Sequence, residues 1–200
     1  MFRFIAATAA GTVVYFVWMM AAWMVLPVHT SSLRRLPNEE LLRQTLADEQ
    51  FAPGYYFLPW PPEAGADGIS AEDLQAEMDA YTERHRQGPL ATIIVREGAE
   101  PMPPVMFLGG WIIDLIGAAI LAMVMMSAHC CTQYWQRVGL GTALGVFTAV
   151  VSYGALYNWM WFPADFVGAM AVDVIVGWTL AAAAMAAIIR HEPDTTVVAS

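Results

Sequence analysis

Two aspartates interrupt otherwise apolar stretches of the sequence, and they are the residues with the clearest capacity for chemistry. Asp114 lies about ten residues into the stretch 105–128, and Asp173 lies about eight residues into the stretch 166–189. If both stretches are helices that cross a membrane in the same direction, each carboxyl lies roughly 12–15 Å below the outer surface. An ionised carboxylate at that depth is costly, so such residues commonly mark proton or ion sites.

The sequence supports two interpretations of this pair. In the first, Asp114 and Asp173 form a proton or cation site together with Tyr153 and Ser152 on the neighbouring stretch 138–160. In the second, each is a neutral carboxyl that hydrogen-bonds to a neighbouring helix and holds the helices together. Every arginine and histidine lies at the end of an apolar stretch or in the long loop, so no basic partner is expected at the depth of the carboxyls.

A dense group of aromatic residues suggests a second site. It could line a pocket for a lipid-like or quinone-like ligand, or it could be the belt of amphipathic rings found where helices leave a membrane. Its members are Trp111, Tyr157, Asn158, Trp159 and Trp161.

The histidines and cysteines do not form a recognisable metal, haem or redox motif. Cys130 and Cys131 are adjacent, which excludes a disulfide framework. His29 follows the first apolar stretch and His129 follows the second, so the two do not share a depth as haem ligands would. No nucleotide-binding or nucleophile motif occurs, and we expect a protein that is not an enzyme and has no cofactor.

The composition is that of a membrane protein. Apolar residues make up 58% of the 200 residues, charged residues 14%, and the net charge is −9. This negative charge argues against nucleic acid as a partner. A membrane-spanning helix needs about 20 apolar residues, and four stretches meet that requirement. They are residues 4–26, 105–128, 138–160 and 166–189.

The predicted fold is therefore an all-α membrane protein, a bundle of four transmembrane helices with a small α+β domain inserted between the first two. The predicted segments are a first transmembrane helix at 1–27, a loop domain at 28–104, three transmembrane helices within 105–190 and a tail at 191–200. Arg3, Arg137 and Arg190 flank the span ends that would be cytoplasmic. This distribution predicts that both termini lie in the cytoplasm and that the loop lies on the opposite side of the membrane.

The loop domain is predicted to contain two helices and two strands. Residues 38–49 and 70–87 show helical spacing and capping residues at Asn38 and Ser70, whereas 54–59 and 90–96 are rich in aromatic and β-branched residues. A strand–helix–strand order could form a two-stranded layer with its helix on one face. We expect a thin core that rests on the spans or on a partner.

Several glycines lie in the apolar stretches, where a missing side chain allows close helix packing. The candidates for such packing are Gly110, Gly117, Gly141, Gly145 and Gly177.

Short motifs spread along the chain resemble those of small bacterial inner-membrane proteins with four spans and a large first periplasmic loop. This resemblance implies the topology and a location in the bacterial inner membrane with the loop 28–104 in the periplasm, and it implies no activity. The motifs are Leu26-Pro27, Leu36-Pro37-Asn38-Glu39, the run from Pro53 to Pro59, Gly88-Pro89, Asn158-Trp159 and Phe162-Pro163.

Three hypotheses for function follow. The first is a non-enzymatic accessory or assembly subunit that lies in the lipid bilayer and binds another membrane protein or a second copy of itself. The second is a small oligomeric transporter or proton- or cation-coupled channel that uses Asp114 and Asp173. The third, with the weakest support, is a membrane redox protein that binds a quinone-like ligand at the aromatic group.

Overall fold

The computed structural model describes residues 1–63, 69–128 and 131–189. Its elements, in chain order, are α1 Phe2–Met24, α2 Glu39–Asp48, β1 Gly54–Leu58, α3 Ala71–Gln87, β2 Ala91–Val95, α4 Pro104–Ser127, α5 Tyr134–Thr148, a π-helical turn Ala149–Tyr153, α6 Gly154–Met160 and α7 Ala164–Ile188. The predicted residues His129, Cys130, Arg190 and His191, with the tail 191–200, lie outside the described residues.

Four helical segments of 23 to 27 residues are long and apolar enough to cross a membrane. They are α1, α4, α7 and the continuous run Tyr134–Met160, in which α5, the π-helical turn and α6 follow one another without a break. The prediction of four apolar helices is confirmed. The third helix begins four residues earlier than predicted, because the side chain of Gln136 accepts a hydrogen bond from the backbone N–H of Gln133 (3.0 Å) and supports an extra first turn.

The chain divides into two units, with residues 1–35 and the chain from Met102 onward in the first and Leu36–Pro101 in the second. The short segment 28–35, which the sequence analysis placed in the loop, thus groups with the helices. In the first unit, α7 packs along both α1 and α5, and α1 also packs along α4. A buried cluster of small and flexible side chains from α1, α4 and α7, which includes Ala7, Ala122 and Met185, forms its core.

Most of the predicted packing glycines lie where two helices approach closely. A Cβ at Gly141 would collide with the Cβ of Ala182 on α7, and one at Gly145 would lie 3.3 Å from the Cα of Ile175. These contacts set the distance between α5 and α7. Gly110 differs, because a Cβ there would meet no heavy atom within 4 Å among the described residues.

The second unit, Leu36–Pro101, contains the predicted two helices and two strands. Strands β1 and β2 are antiparallel, with Gly54 opposite Val95 and Leu58 opposite Ala91. The caps are also confirmed: the Asn38 side chain accepts from the N–H of Leu41 (3.2 Å), and Ser70 accepts from that of Asp73 (3.1 Å).

The helices of this unit leave little of their surface covered. No residue of α2 or α3 is buried, and α3 does not pack closely on either strand, so the predicted layer with a helix on one face is not observed. An exposed ion pair joins Glu40 and Arg43 on α2 (3.0 Å), and the hydrogen bond from Arg43 lowers the pKa of the Glu40 carboxyl.

Candidate functional site

The chain folds back on itself immediately after the first helix. The helix ends at Met24, and Pro27 has no N–H with which to continue it. The N–H of Ser32 (3.1 Å) and its hydroxyl (2.9 Å) both donate to the carbonyl of His29, which closes a tight turn. We call residues 25–35 the return segment, because this turn directs His29 toward the helices, where only 2% of its surface is exposed.

His29 forms a buried pair with Asp173. Its Nε2 atom lies 3.1 Å from Oδ2 of Asp173, whose own exposure is 2%. The indole of Trp23 stacks on the imidazole, with ring centroids 3.9 Å apart and planes 12° apart. The expectation that no basic side chain lies near the carboxyl of Asp173 is therefore wrong. His29, which follows the end of α1 in the return segment, contacts that carboxyl.

A second contact fixes the backbone at the same position. The indole N–H of Trp18 donates to the carbonyl oxygen of Asp173 (3.0 Å). Gly177 allows this approach, because a Cβ there would lie 2.8 Å from the Trp18 ring and 2.7 Å from that of Tyr15. Gly177 therefore packs closely, as predicted, and it also allows the rings of Tyr15 and Trp18 to contact the turn of α7 that carries Asp173.

Each of the four spans places one ionisable side chain at a similar level. On the side of the return segment, the helices end or begin at Met24, Pro104, Met160 and Ala164. At about 1.5 Å per residue, the four ionisable side chains all lie about 10–15 Å inside from these residues. They are Tyr15, Asp114, Tyr153 and Asp173. Tyr15 interacts electrostatically with all three others, and Tyr153 also interacts with Asp173. Three of these residues are predicted from the sequence, whereas Tyr15, which interacts with each of them, is not.

Polar atoms of this cluster lack partners. Oδ1 of Asp173 and Nδ1 of His29 are buried and form no hydrogen bond with a described residue. Buried polar atoms are nearly always paired, so such exceptions require an explanation. A carboxyl and an imidazole at 3.1 Å can share one proton in two arrangements, imidazolium with carboxylate or neutral imidazole with carboxylic acid, and the pair has no net charge in either.

Gain of a further proton changes the chemistry of the pair. With the imidazolium and the carboxylic acid present together, the pair carries a positive charge and loses the attraction between opposite charges. A net charge in apolar surroundings raises the free energy. The pair can therefore share one proton without a net charge, and a second proton favours separation of the two side chains.

Other predicted site residues do not join this cluster. Ser152 is exposed on the surface of the helices. Of the aromatic group, Tyr157, Asn158, Trp159 and Trp161 are exposed, whereas Trp111 makes an edge contact with Phe16 of α1 (5.3 Å between centroids).

Gly117 contributes to packing near the cluster. A Cβ there would lie 2.6 Å from the ring of Trp178, and that ring in turn lies against Tyr15, with centroids 4.4 Å apart. Trp178 therefore links α4 to α1 beside the ionisable groups.

A buried arginine, which the sequence indicates only as a topology signal, lies at the beginning of the third helix. Arg137 is 4% exposed, and its guanidinium donates to the carbonyls of Thr132 (2.6 Å) and Cys131 (3.2 Å). It thereby satisfies backbone acceptors ahead of α5. Among residues 1–63, 69–128 and 131–189, no group of three or more His, Cys, Asp or Glu side chains is arranged to hold a metal ion.

Comparison with known proteins adds no further constraint. No protein-family model, curated protein or solved structure matches this chain.

Proposed function

We propose that this chain is a proton-coupled membrane protein in which the His29–Asp173 pair binds and releases the proton. The buried pair itself, with Nε2 and Oδ2 3.1 Å apart inside the helices, carries the proposal. Ionisable groups within membrane helices are expensive and often belong to ion or proton pathways, and histidine is the side chain whose ordinary titration range lies closest to neutral pH. The activity is either proton-driven transport or proton conduction by a small oligomer.

The return segment gives the proposed proton a way to change the structure. Two ion pairs join this segment to α7: the buried His29–Asp173 pair and an exposed pair between Arg34 and Asp165 (3.1 Å). Loss of the buried attraction leaves the exposed Arg34–Asp165 pair as the ion pair between the segment and α7, and such a pair is weak in water. Proton binding is therefore expected to loosen the segment above the cluster.

The third helix supports the same proposal. Its π-helical turn, Ala149–Tyr153, carries the tyrosine that interacts with Asp173. Such turns are rare and frequently occur at functional sites. The turn makes the third helix irregular where it packs on α7, the helix that carries Asp173.

The proposed location is the bacterial inner membrane, with the amino terminus and the predicted tail 191–200 in the cytoplasm and the loop unit in the periplasm. Arg3 and Arg137 support this orientation, since both lie near the proposed cytoplasmic ends of helices. In this orientation the return segment and His29 lie on the periplasmic side, so protons would enter the cluster from there.

Proton flux into liposomes tests the proposal. The purified protein is reconstituted into vesicles that contain a pH-sensitive dye, and a pH gradient is imposed. We expect Asp173→Asn and His29→Gln to lower protein-dependent flux about tenfold or more, since each removes one proton-binding group. Ser152→Ala is the matched control, because this side chain is exposed and should leave flux unchanged.

If both variants fold as the wild type does and carry protons at the wild-type rate, the pair has a structural role only.

A second candidate function is that of an accessory subunit that binds a membrane protein or another copy of this chain. The loop unit favours it, because Tyr55, Phe57, Trp60 and Ile94 are all 40% or more exposed. Beside Trp60 a pocket of about 470 Å³ is bounded by Pro61, Ile69, Glu77 and Arg84, among others. A quinone-like ligand has less support, since four of the five residues of the proposed aromatic pocket are exposed and Trp111 contacts α1 instead.

Purification in mild detergent followed by native mass spectrometry tests the accessory role. We expect a partner or a second copy to remain bound to the wild type and to be lost from Trp60→Ala. Trp135→Ala is the control, because this tryptophan is also exposed but lies at the beginning of α5, and we expect this variant to keep the partner. A wild-type protein that is monomeric in several detergents would argue against this role.

A further inference from the structure

Asp114 is a buried carboxyl without a hydrogen-bond donor. It is 8% exposed, lies ten residues into α4, and accepts no hydrogen bond from the described residues. Asp173, by contrast, has His29 as its partner. Because an ionised carboxylate with neither donor nor counter-ion is strongly disfavoured in apolar surroundings, Asp114 is expected to carry its own proton most of the time.

Tyr15 lies against the turn of α7 that carries Asp173. Its ring occupies the space beside Gly177 and contacts Trp178 at an interplanar angle of 32°; Trp178 also contacts Gly117, one turn beyond Asp114 on α4. Its hydroxyl interacts electrostatically with Asp114 and with Asp173, and it forms no hydrogen bond with a described residue. A hydroxyl both donates and accepts, so it can serve either carboxyl.

We infer that Asp114 is a second proton-binding site, which exchanges protons with the His29–Asp173 pair through the hydroxyl of Tyr15. This inference rests on the proposed function and adds a second proton-binding carboxyl at the level of the pair.

The transfer balances without any other reactant. The O–H bond of Asp114 breaks as the Tyr15 oxygen gains that proton, and the original O–H bond of Tyr15 breaks as the Asp173 carboxylate gains its proton. Tyr15 is neutral before and after, and Asp114 is left as a carboxylate that must take up a proton again. The titratable groups that face this path are Tyr15 from α1, Tyr153 from the π-helical turn, Asp173 from α7 and His29 from the return segment.

Two measurements on the reconstituted full chain test the inference. In infrared difference spectra between acidic and neutral pH, we expect separate carboxylic acid bands for the two aspartates, one lost in Asp114→Asn and the other lost in Asp173→Asn. In the vesicle assay we expect Asp114→Asn and Tyr15→Phe each to lower proton flux about tenfold. Tyr157→Phe is the matched control for the lost hydroxyl, because Tyr157 is exposed on α6 and outside the cluster.

Failure of the inference differs from failure of the proposed function. If Asp173→Asn and His29→Gln abolish flux while Asp114→Asn and Tyr15→Phe keep both the wild-type rate and the wild-type bands, the inference is overturned and the proposed function stands. If none of the four changes flux, the proposed function fails, and with it the path. Asp114→Glu, which keeps the carboxyl, should restore at least part of the flux lost in Asp114→Asn; no recovery in a folded Asp114→Glu protein would count against a proton-binding role.

Discussion

Replacement of His29 by alanine is expected to lower the free energy of unfolding by about 3–5 kcal/mol, because it leaves the carboxyl of Asp173 buried without its partner. Both side chains are almost fully enclosed, and Oδ1 of Asp173 already lacks a hydrogen bond within the described chain. Asp173→Ala should cost a similar amount, since the imidazole then loses its acceptor. The measurement is reversible unfolding in mixed micelles, followed by circular dichroism.

The double variant His29→Leu with Asp173→Leu separates the effect of the pair from that of each group. Apolar residues of similar volume often replace a buried ion pair at little or no cost, so we expect the double variant to be close to the wild type in stability or above it, while proton flux is absent. His85→Ala is the control: this histidine lies on α3, outside the cluster, and its loss should change stability by less than about 0.5 kcal/mol. If His29→Ala and Asp173→Ala are as stable as the wild type, the claim that this buried pair stabilises the fold is wrong.

Gly141→Ala is expected to lower the free energy of unfolding by about 1–3 kcal/mol, the usual cost of an added methyl group in a closely packed interior. The new Cβ would collide with the Cβ of Ala182, which is attached directly to the backbone of α7 and cannot rotate away. The two helices must move apart, and contacts along α5 and α7 are then lost. Unfolding in mixed micelles measures the effect, as for the buried pair.

Gly139 provides a closely matched control on the same helix. A Cβ at that position would meet no atom within 4 Å among the described residues. Gly139→Ala should therefore be neutral, or more stable by up to about 1 kcal/mol, because alanine favours the helix. Equal destabilisation by the two substitutions would show that the contact between α5 and α7 is not the cause.

The spans and the loop elements could be predicted because their signals are local. A run of apolar residues fixes a membrane helix whatever it packs against, and Asn38 and Ser70 cap their helices through contacts only three residues away. Gly141 and Gly145 could be predicted as contact points because their spacing of four places them on one helix face.

His29 could not be placed in the same way, since its partner is 144 residues away in sequence. Its position depends on a turn that reverses the chain after α1, and the sequence around Pro27 indicates where the helix ends but not where the next residues go. Ser152 could not be placed for a different reason. It lies in the π-helical turn Ala149–Tyr153, and the sequence indicates neither this turn nor the helix face on which each of its side chains lies.

The separation between His29 and Asp173 also has a consequence for biosynthesis. At about 5–20 residues per second, a ribosome takes roughly 7–30 s to advance the 144 positions from His29 to Asp173. During that interval the imidazole has been made but the carboxyl that pairs with it has not. The first apolar helix must therefore remain with its return segment undocked until the last apolar helix has been made, and only then can the cluster assemble.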